Sequence, residues 1–259
     1  MHLDVVDLRK FYHSTPLGRM VQRSLRERLA TLWPDTRGMT VAGFGFTTPF
    51  MRPFVERSAR VLCLMPAQQG VCPWPDEGPN HAALIEETLW PLPNGFVDRL
   101  MVVHGLETCE RPQALLDEIW RVLAPGGRAA FIVPNRAGLW ARRDVTPFGY
   151  GRPYSVSQLE RTLAQHRFAA ERHGGALYHP PSHRRFWLRL APAMERIGSR
   201  LDAERLAGVV LVEATKLVYI APASGAKETA RRPLRVLEGL APPRPKPAAG
   251  RDGRMRTGA

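Results

Sequence analysis

Glu118-Ile119-Trp120-Arg121-Val122-Leu123-Ala124-Pro125-Gly126-Gly127, followed by the run 128–133, is the stretch whose reading decides the fold. Within 112–123, Leu115, Leu116, Ile119, Trp120 and Leu123 recur at three- and four-residue spacing, the stripe of a helix packed on one side. Pro125-Gly126-Gly127 then stops that helix, because proline cannot continue the hydrogen-bond ladder and glycine takes the left-handed turn at a helix end. Residues 128–133 are almost wholly apolar after Arg128, as in a strand covered on both faces. A helix that leads through a tight turn into such a strand is half of a β-α-β unit.

The alternation extends in both directions. Upstream, strands are expected at 39–44, 60–65, 82–85 and 98–104, with a helix through Phe50, Phe54 and Val55. Downstream, Ser155 caps a helix containing Leu159 and Leu163, and strands fit 168–178 and 209–220. A basic amphipathic helix lies between those strands, over about 183–201. Ahead of the first strand, 7–33 reads as helical, with Val21, Leu25, Leu29 and Leu32 on one face. Its turn Ser14-Thr15-Pro16-Leu17-Gly18 offers capping hydroxyls and a proline suited to a first helical position. Strands and helices alternating in this way imply an α/β domain with a parallel sheet. The chain divides into a helical cap over 1–38, the α/β domain over 39–221 and a basic Pro/Arg-rich tail over 222–259. Within the domain, 135–155 is a long loop and 180–206 a helical insertion.

Composition narrows the class. With 259 residues and 44% hydrophobic content the chain can bury one substantial core. No apolar run approaches the roughly 18–20 residues that span a bilayer, and Met1 to Asp7 lacks the basic-then-apolar pattern of a secretory leader. Cys63, Cys72 and Cys109 make no CxxC pair and no metal-ligand spacing, so no metal centre is expected, and a reducing cytoplasm suits them. The net charge of +13 invites a nucleic-acid partner, but the tail alone holds nine basic against three acidic residues. That tail is too poor in apolar side chains to offset its ordering entropy, which leaves weak anion, nucleic-acid or membrane-surface contact as its expected role.

Gly43-Phe44-Gly45 closes the first strand. Glycines there let a ligand approach the backbone where an open parallel sheet binds its ligands, beyond the carboxyl ends of the strands. A dinucleotide site would place a third glycine near Thr48 and an acid at the end of the second strand, and neither is present; a phosphate loop fails for want of Gly-Lys-Ser/Thr.

Four segments, in order, resemble the class I S-adenosylmethionine (SAM) dependent methyltransferase family. They are Val41-Ala42-Gly43-Phe44-Gly45 at its glycine motif, the Leu89-Trp90-Pro91-Leu92-Pro93-Asn94-Gly95-Phe96-Val97-Asp98 stretch, the Glu118 to Gly127 segment and Val133-Pro134-Asn135. Over 11–216 the chain is also similar to a group of bacterial methyltransferase-domain proteins. The marks are Phe11-Tyr12 with Leu17-Gly18, Pro134-Asn135-Arg136 with Gly138-Leu139-Trp140, and Thr146-Pro147-Phe148-Gly149 with Arg152-Pro153-Tyr154-Ser155. The resemblance implies a Rossmann-like seven-stranded, mostly parallel sheet with helices on both faces and an antiparallel terminal strand. It implies SAM as cofactor, with Gly43, Phe44 and Gly45 under its methionine part, Pro66 at the end of the second strand, and Glu86 or Glu87 at the adenine amine. By counting back from Pro91, Glu86 suits the adenine better. One departure stands out: the family usually ends its second strand in an acid that holds the ribose, whereas this strand runs Leu64-Met65-Pro66-Ala67-Gln68-Gln69. An amide of Gln68 or Gln69 is the available substitute.

His104 ends the fourth strand at the mouth of that expected site, where an imidazole can serve as base or pack on the cofactor. Glu107 reads as a cap for the following helix. In the long loop, Trp140, Phe148, Tyr150 and Tyr154 can sandwich a planar acceptor, and Arg152 can hold an anion; the alternative is an aromatic satellite core with solvated arginines. Tyr12 is placed to help close the pocket, as entry segments do in the family. The basic helix suits a membrane surface, a cover for the substrate side or a contact between two copies. The functional expectation is methyl transfer to a small or amphipathic acceptor. The alternatives are a catalytically degenerate binding or regulatory protein, and an RNA methyltransferase.

Overall fold

The computed structural model describes residues 3–142, 144–200 and 204–218; the tail over 222–259 lies outside the described residues. The chain enters through α1 (Val5–Arg9), a π-helical turn (Lys10–Ser14) and α2 (Pro16–Leu32). There follow β1 (Thr40–Gly45), α3 (Thr48–Val55), β2 (Arg60–Pro66), β3 (Ala82–Ile85), β4 (Val97–Val103), α4 (Pro112–Val122) and β5 (Leu123–Pro134). The last elements are α5 (Val156–Gln165), β6 (Phe168–Ala176), α6 (Arg185–Arg200) and β7 (Val209–Lys216).

The seven strands form one sheet in the order β3-β2-β1-β4-β5-β7-β6. The first five are mutually parallel, and β7 runs antiparallel between β5 and β6. Period-two alternation sorts the strand residues onto the two faces. Val41, Met101, Val103 and Ile132 join a core with the N-terminal helices and α3. Ala42, Phe44, Leu100, Val102 and Phe131 join a second core with α4 and α5. Because the order reverses between β1 and β4, the crevice at their carboxyl ends is where this topology receives a ligand.

Two segments depart from the sequence expectation. The expected helix over 7–33 breaks at Thr15, whose hydroxyl donates to the Phe11 carbonyl (2.7 Å) and accepts from Gly18 N–H (2.9 Å). Pro16 then opens α2 with no N–H to continue the preceding turn. The fifth strand begins at Leu123 rather than at 128, because Leu123 already pairs with Val97 and the Ala124-Pro125-Gly126-Gly127 turn bulges out of β5 before the pairing resumes at Arg99 and Arg128.

Polar ties fix these layers. Glu213, fully buried on β7, accepts from Trp33 Nε1 (2.7 Å) at the end of α2 and from Arg172 Nε (2.6 Å) on β6. The segment 89–98 is held by the helix that comes after it. Glu118 accepts from Trp90 N–H (2.6 Å), and Arg121 donates to both Glu118 oxygens, to the carbonyls of Trp90 and Leu92, and to Asn94 Oδ1. Asp98 at the start of β4 accepts from Thr40 N–H (2.8 Å), which sets the register of β4 against β1. Two of the four motif segments are therefore one clamp, built from an Arg–carboxylate pair that reaches backbone oxygens.

Burial raises the Cys63 and Cys109 thiols to about 12, with Glu87 adding to the effect at Cys109, and it also raises half-buried Cys72. A neutral-pH titration of the folded protein with a thiol-reactive disulfide reagent is expected to label Cys72 slowly and the other two only on unfolding. Rapid labelling of Cys63 would contradict this packing.

Candidate active site

Gly45 closes β1 with φ +85°, and a Cβ there would meet the Val103 carbonyl oxygen at 2.2 Å. This approach lets Phe46 N–H donate to the same carbonyl (2.9 Å), drawing the ends of β1 and β4 together at the switch point. Gly43 is pressed from within the turn, since Thr47 Oγ1 stands 2.1 Å from where its Cβ would be. His104, next after β4, takes a left-handed φ of 52°. Its carbonyl accepts from Gln69 Nε2 (3.1 Å), and the carbonyl of Gln69 accepts from Val5 N–H (2.8 Å). The N-terminal segment is thereby fastened over the ends of β1, β2 and β4.

Beneath it lies a buried polar chain. Tyr12 Oη is 2.7 Å from His104 Nε2, and His104 Nδ1 is 3.3 Å from Glu107 Oε1, with all three side chains withdrawn from solvent. Burial, and then the Glu107 carboxylate, push the Tyr12 phenol well above its ordinary range, so it stays protonated at neutral pH. The protonated phenol can therefore donate to His104 Nε2, while Nδ1 is the ring nitrogen that faces Glu107. Rings enclose the chain: Phe46 stacks on Tyr12 at 5.8 Å, Phe148 lies 4.6 Å from His104, and Trp140 meets Phe148 edge-on.

Several buried polar atoms here have no hydrogen-bond partner among the described residues: Thr47 Oγ1, Gln69 Oε1, His104 Nδ1 and both oxygens of Glu107. The 3.3 Å approach between His104 and Glu107 is close enough for charge but not aligned as a hydrogen bond. Buried groups are nearly always paired, so a cluster of orphans at the ends of adjacent strands marks a place that expects a polar ligand.

The structure brings Tyr12, Gly43, Gly45, His104 and Phe148 together and sets the other candidates around them. Phe44 points to the opposite face and stacks on Trp90 (5.0 Å). Pro66 is buried at the end of β2. Glu86 is exposed beside β3, whereas Glu87 is buried and accepts from Glu110 N–H (3.4 Å). Trp140 is buried with its indole N–H donating to the His179 carbonyl (2.7 Å). Tyr150 is half-buried and donates to the Asp144 carbonyl (3.2 Å). Tyr154 is buried in the α5 core, its phenol raised by burial and by Glu107. Arg152 is exposed, and its backbone N–H donates to the Glu107 carbonyl (2.8 Å).

Glu107 is the residue that sequence reasoning misplaced. It caps no helix: α4 begins after Arg111 with no side-chain cap, and the Glu107 carboxylate instead turns inward to His104. Gln69 reads from the sequence only as a stand-in for a ribose acid, and its amide nitrogen is committed to the His104 carbonyl.

Residues 42–131 match the family model described as a methyltransferase domain. A search of curated protein sequences returns no match. Among solved structures, the fold is similar to a SAM-dependent methyltransferase of Thermotoga maritima (16% identity, TM-score 0.53, covering 77% of this chain and 91% of that one). It is also similar to a SAM-dependent methyltransferase of Mesorhizobium loti (15%, TM-score 0.51, 73% and 96%). A third is the geranyl diphosphate C-methyltransferase of Streptomyces coelicolor A3(2), solved with Mg2+, geranyl-S-thiolodiphosphate and S-adenosyl-L-homocysteine (18%, TM-score 0.51, 74% and 75%). The methyltransferase-domain match covers about a third of the chain, and the seven-stranded sheet is a fold it shares with these SAM-dependent methyltransferases.

The family's cofactor can be tested against the residues present. Its ammonium and ribose hydroxyls are donors, and the orphan acceptors Gln69 Oε1 and Glu107 Oε1 and Oε2 are the complementary set. The donor chemistry therefore fits, although no carboxylate ends β2. The rings of Tyr12 and Phe46 close over the glycine turn, so the cap must yield for the cofactor to enter.

Proposed function

We propose that the protein transfers a methyl group from SAM to a small or amphipathic acceptor. The observation that carries this reading is the set of orphaned buried polar atoms at the ends of β1, β2 and β4, around the glycine turn. SAM supplies an electrophilic methyl on a sulfonium, and the chain's own task is to hold and align it away from water. In this reading Gln69 and Glu107 accept from the cofactor's hydroxyl and ammonium groups, and Glu86 or Glu87 serves the adenine. His104 takes a proton from the acceptor where one must leave, with Glu107 holding the imidazole. Trp140, Phe148 and Tyr150 wall the acceptor side, and Arg152 and Tyr154 flank Glu107. The test is transfer of labelled methyl from SAM into small-molecule extracts, followed by mass spectrometry. His104→Ala, verified as folded by circular dichroism, is expected to lower transfer at least about 100-fold. Undiminished transfer by that variant would remove His104 from the chemistry.

A second reading, a non-catalytic binding or regulatory protein, is favoured by the Tyr12, Phe46 and Phe148 rings that fill the crevice above Gly45. Methyl transfer by the purified protein eliminates it.

The amphipathic class of acceptor draws support from α6. Phe186, Leu190 and Ile197 are 62%, 39% and 58% exposed and fall within an arc of about 40° on the helix. Arg185, Arg189, Arg196 and Arg200 form the flank beside that stripe. An apolar stripe bordered by arginines is complementary to an anionic lipid surface. The protein is expected to sediment with vesicles containing phosphatidylglycerol and not with phosphatidylcholine alone, and Phe186→Ser with Ile197→Ser should cut that binding several-fold. Equal binding to both vesicles, or a stripe that instead buries itself in a dimer seen by light scattering, would contradict it. Among the described residues no helix is long and apolar enough to cross a membrane.

A further inference from the structure

Outside the crevice at the strand ends, a cavity of about 450 Å3 opens between the N-terminal cap, the start of α3 and the loop that joins β2 to β3. Its wall carries Arg9, His13, Arg26 and Arg52, together with the rings of Phe46 and Trp74. None of the residues that close on His104 other than Phe46 takes part in it.

The charges in this cavity do not cancel. Arg9 is paired with Asp76 at 3.1 Å, the acidic residue on the cavity wall. Arg26 uses its Nε on the Pro49 carbonyl (2.7 Å), and Arg52 makes no ion pair among the described residues. Burial and the neighbouring Arg52 lower the Arg26 guanidinium from its usual value. Burial, Arg9 and Arg26 lower His13, with Asp76 opposing, so His13 is neutral at pH 7. Two guanidinium charges are left uncompensated beside an apolar wall, at the cost of mutual repulsion that an anion would relieve. Glu56 and Glu77 line an adjoining groove that shares Arg52, Trp74, Pro75 and Asp76 with the cavity, and neither makes an ion pair with Arg52 among the described residues.

We propose that this cavity is a binding site for an organic phosphate carrying a flat apolar group. A phosphate monoester bears close to two negative charges at neutral pH, which matches the two free guanidinium groups, and Arg recognises its oxygens through paired N–H donors. Trp74, only half-buried, offers a ring face for the organic part, and Phe46 closes the cavity from the side of the glycine turn. The site goes beyond the methyl-transfer reading: it is lined by other residues and needs no SAM. Phe46 belongs to both places, so a ligand here touches the turn after Gly45.

The experiment is calorimetric titration of the full-length protein with phenyl phosphate, inorganic phosphate and phenol, without SAM. Phenyl phosphate is expected to bind at about millimolar dissociation constant or tighter, with the other two at least about tenfold weaker. Arg52→Gln, at an exposed position, should weaken phenyl phosphate at least about tenfold, and Arg57→Gln, exposed but not on the cavity wall, should leave binding within about threefold. Trp74→Leu should bring phenyl phosphate down toward inorganic phosphate. Absence of binding, equal binding of phenyl and inorganic phosphate, or full retention in a folded Arg52→Gln variant would each overturn the proposal. Because SAM is absent throughout, these outcomes are independent of whether the methyl-transfer reading holds.

Discussion

Gly45→Ala is expected to lower stability by about 3 kcal/mol and to abolish cofactor binding. Two costs add. An L-residue in left-handed backbone loses roughly 1–2 kcal/mol, and a methyl driven against the Val103 carbonyl adds the roughly 1–3 kcal/mol of an overpacked site. The turn cannot relax away, since Phe46 N–H is bonded to that same carbonyl and the Phe46 ring is packed on Tyr12. Gly126 supplies the control. It has φ +73° with nothing within 4 Å of where a Cβ would stand, so Gly126→Ala should show the conformational cost alone, about 1 kcal/mol. Urea midpoints of the two variants separate the contributions. Equal losses would mean that the Val103 contact carries no energy.

Arg121→Ala is expected to cost about 2–4 kcal/mol, in the range seen when one partner of a partly buried, hydrogen-bonded ion pair is removed. The side chain holds Glu118 and three acceptors of the 90–94 segment at once, so its loss takes the donor from the Leu92 carbonyl and leaves the Glu118 carboxylate with Trp90 N–H and the Trp90 carbonyl with Leu92 N–H. The pair also sets a pH dependence. Desolvation works to raise the Glu118 carboxyl, but the Arg121 hydrogen bonds and the Trp90 N–H outweigh it and hold it below its usual value. A carboxylate depressed in the folded state stabilises above its unfolded pKa, near 4.3, and that contribution fades as pH falls through the folded value. The stability gap between the natural protein and Glu118→Gln should therefore be full at pH 7 and narrow progressively as the pH falls below the unfolded value, near 4.3. A gap that does not narrow as the pH falls would assign the effect to packing instead.

These two substitutions bear on what the sequence disclosed. The β-α-β alternation was legible because the sheet is covered on both faces and its strands are short apolar runs between glycine and proline turns, as at 128–133. Pro125-Gly126-Gly127 announced that α4 ends but not where the next strand starts, since β5 begins at Leu123 through a pairing with Val97 that only the folded sheet creates. The break at Thr15 was written in Thr15-Pro16, yet the amphipathic period on either side concealed it. The candidate residues on the strand ends, Gly43, Gly45 and His104, came from topology. Tyr12, 92 residues from His104 in sequence, came only from the resemblance and without its partner, and nothing local distinguishes Glu107, a buried carboxylate, from a helix cap. Tertiary closure makes that Tyr-His-Glu chain, and a pattern of periods or caps contains no trace of it.

The central claim is that the crevice above Gly45, once the cap yields, holds SAM through Gln69 and Glu107. Isothermal titration of the full chain with SAM and with S-adenosyl-L-homocysteine tests it most directly. One-to-one binding is predicted, weakened at least about tenfold in Glu107→Gln and strengthened in Tyr12→Phe, which frees the cap from His104. Absence of binding by either molecule at millimolar concentration, with the protein shown to be folded, would contradict it.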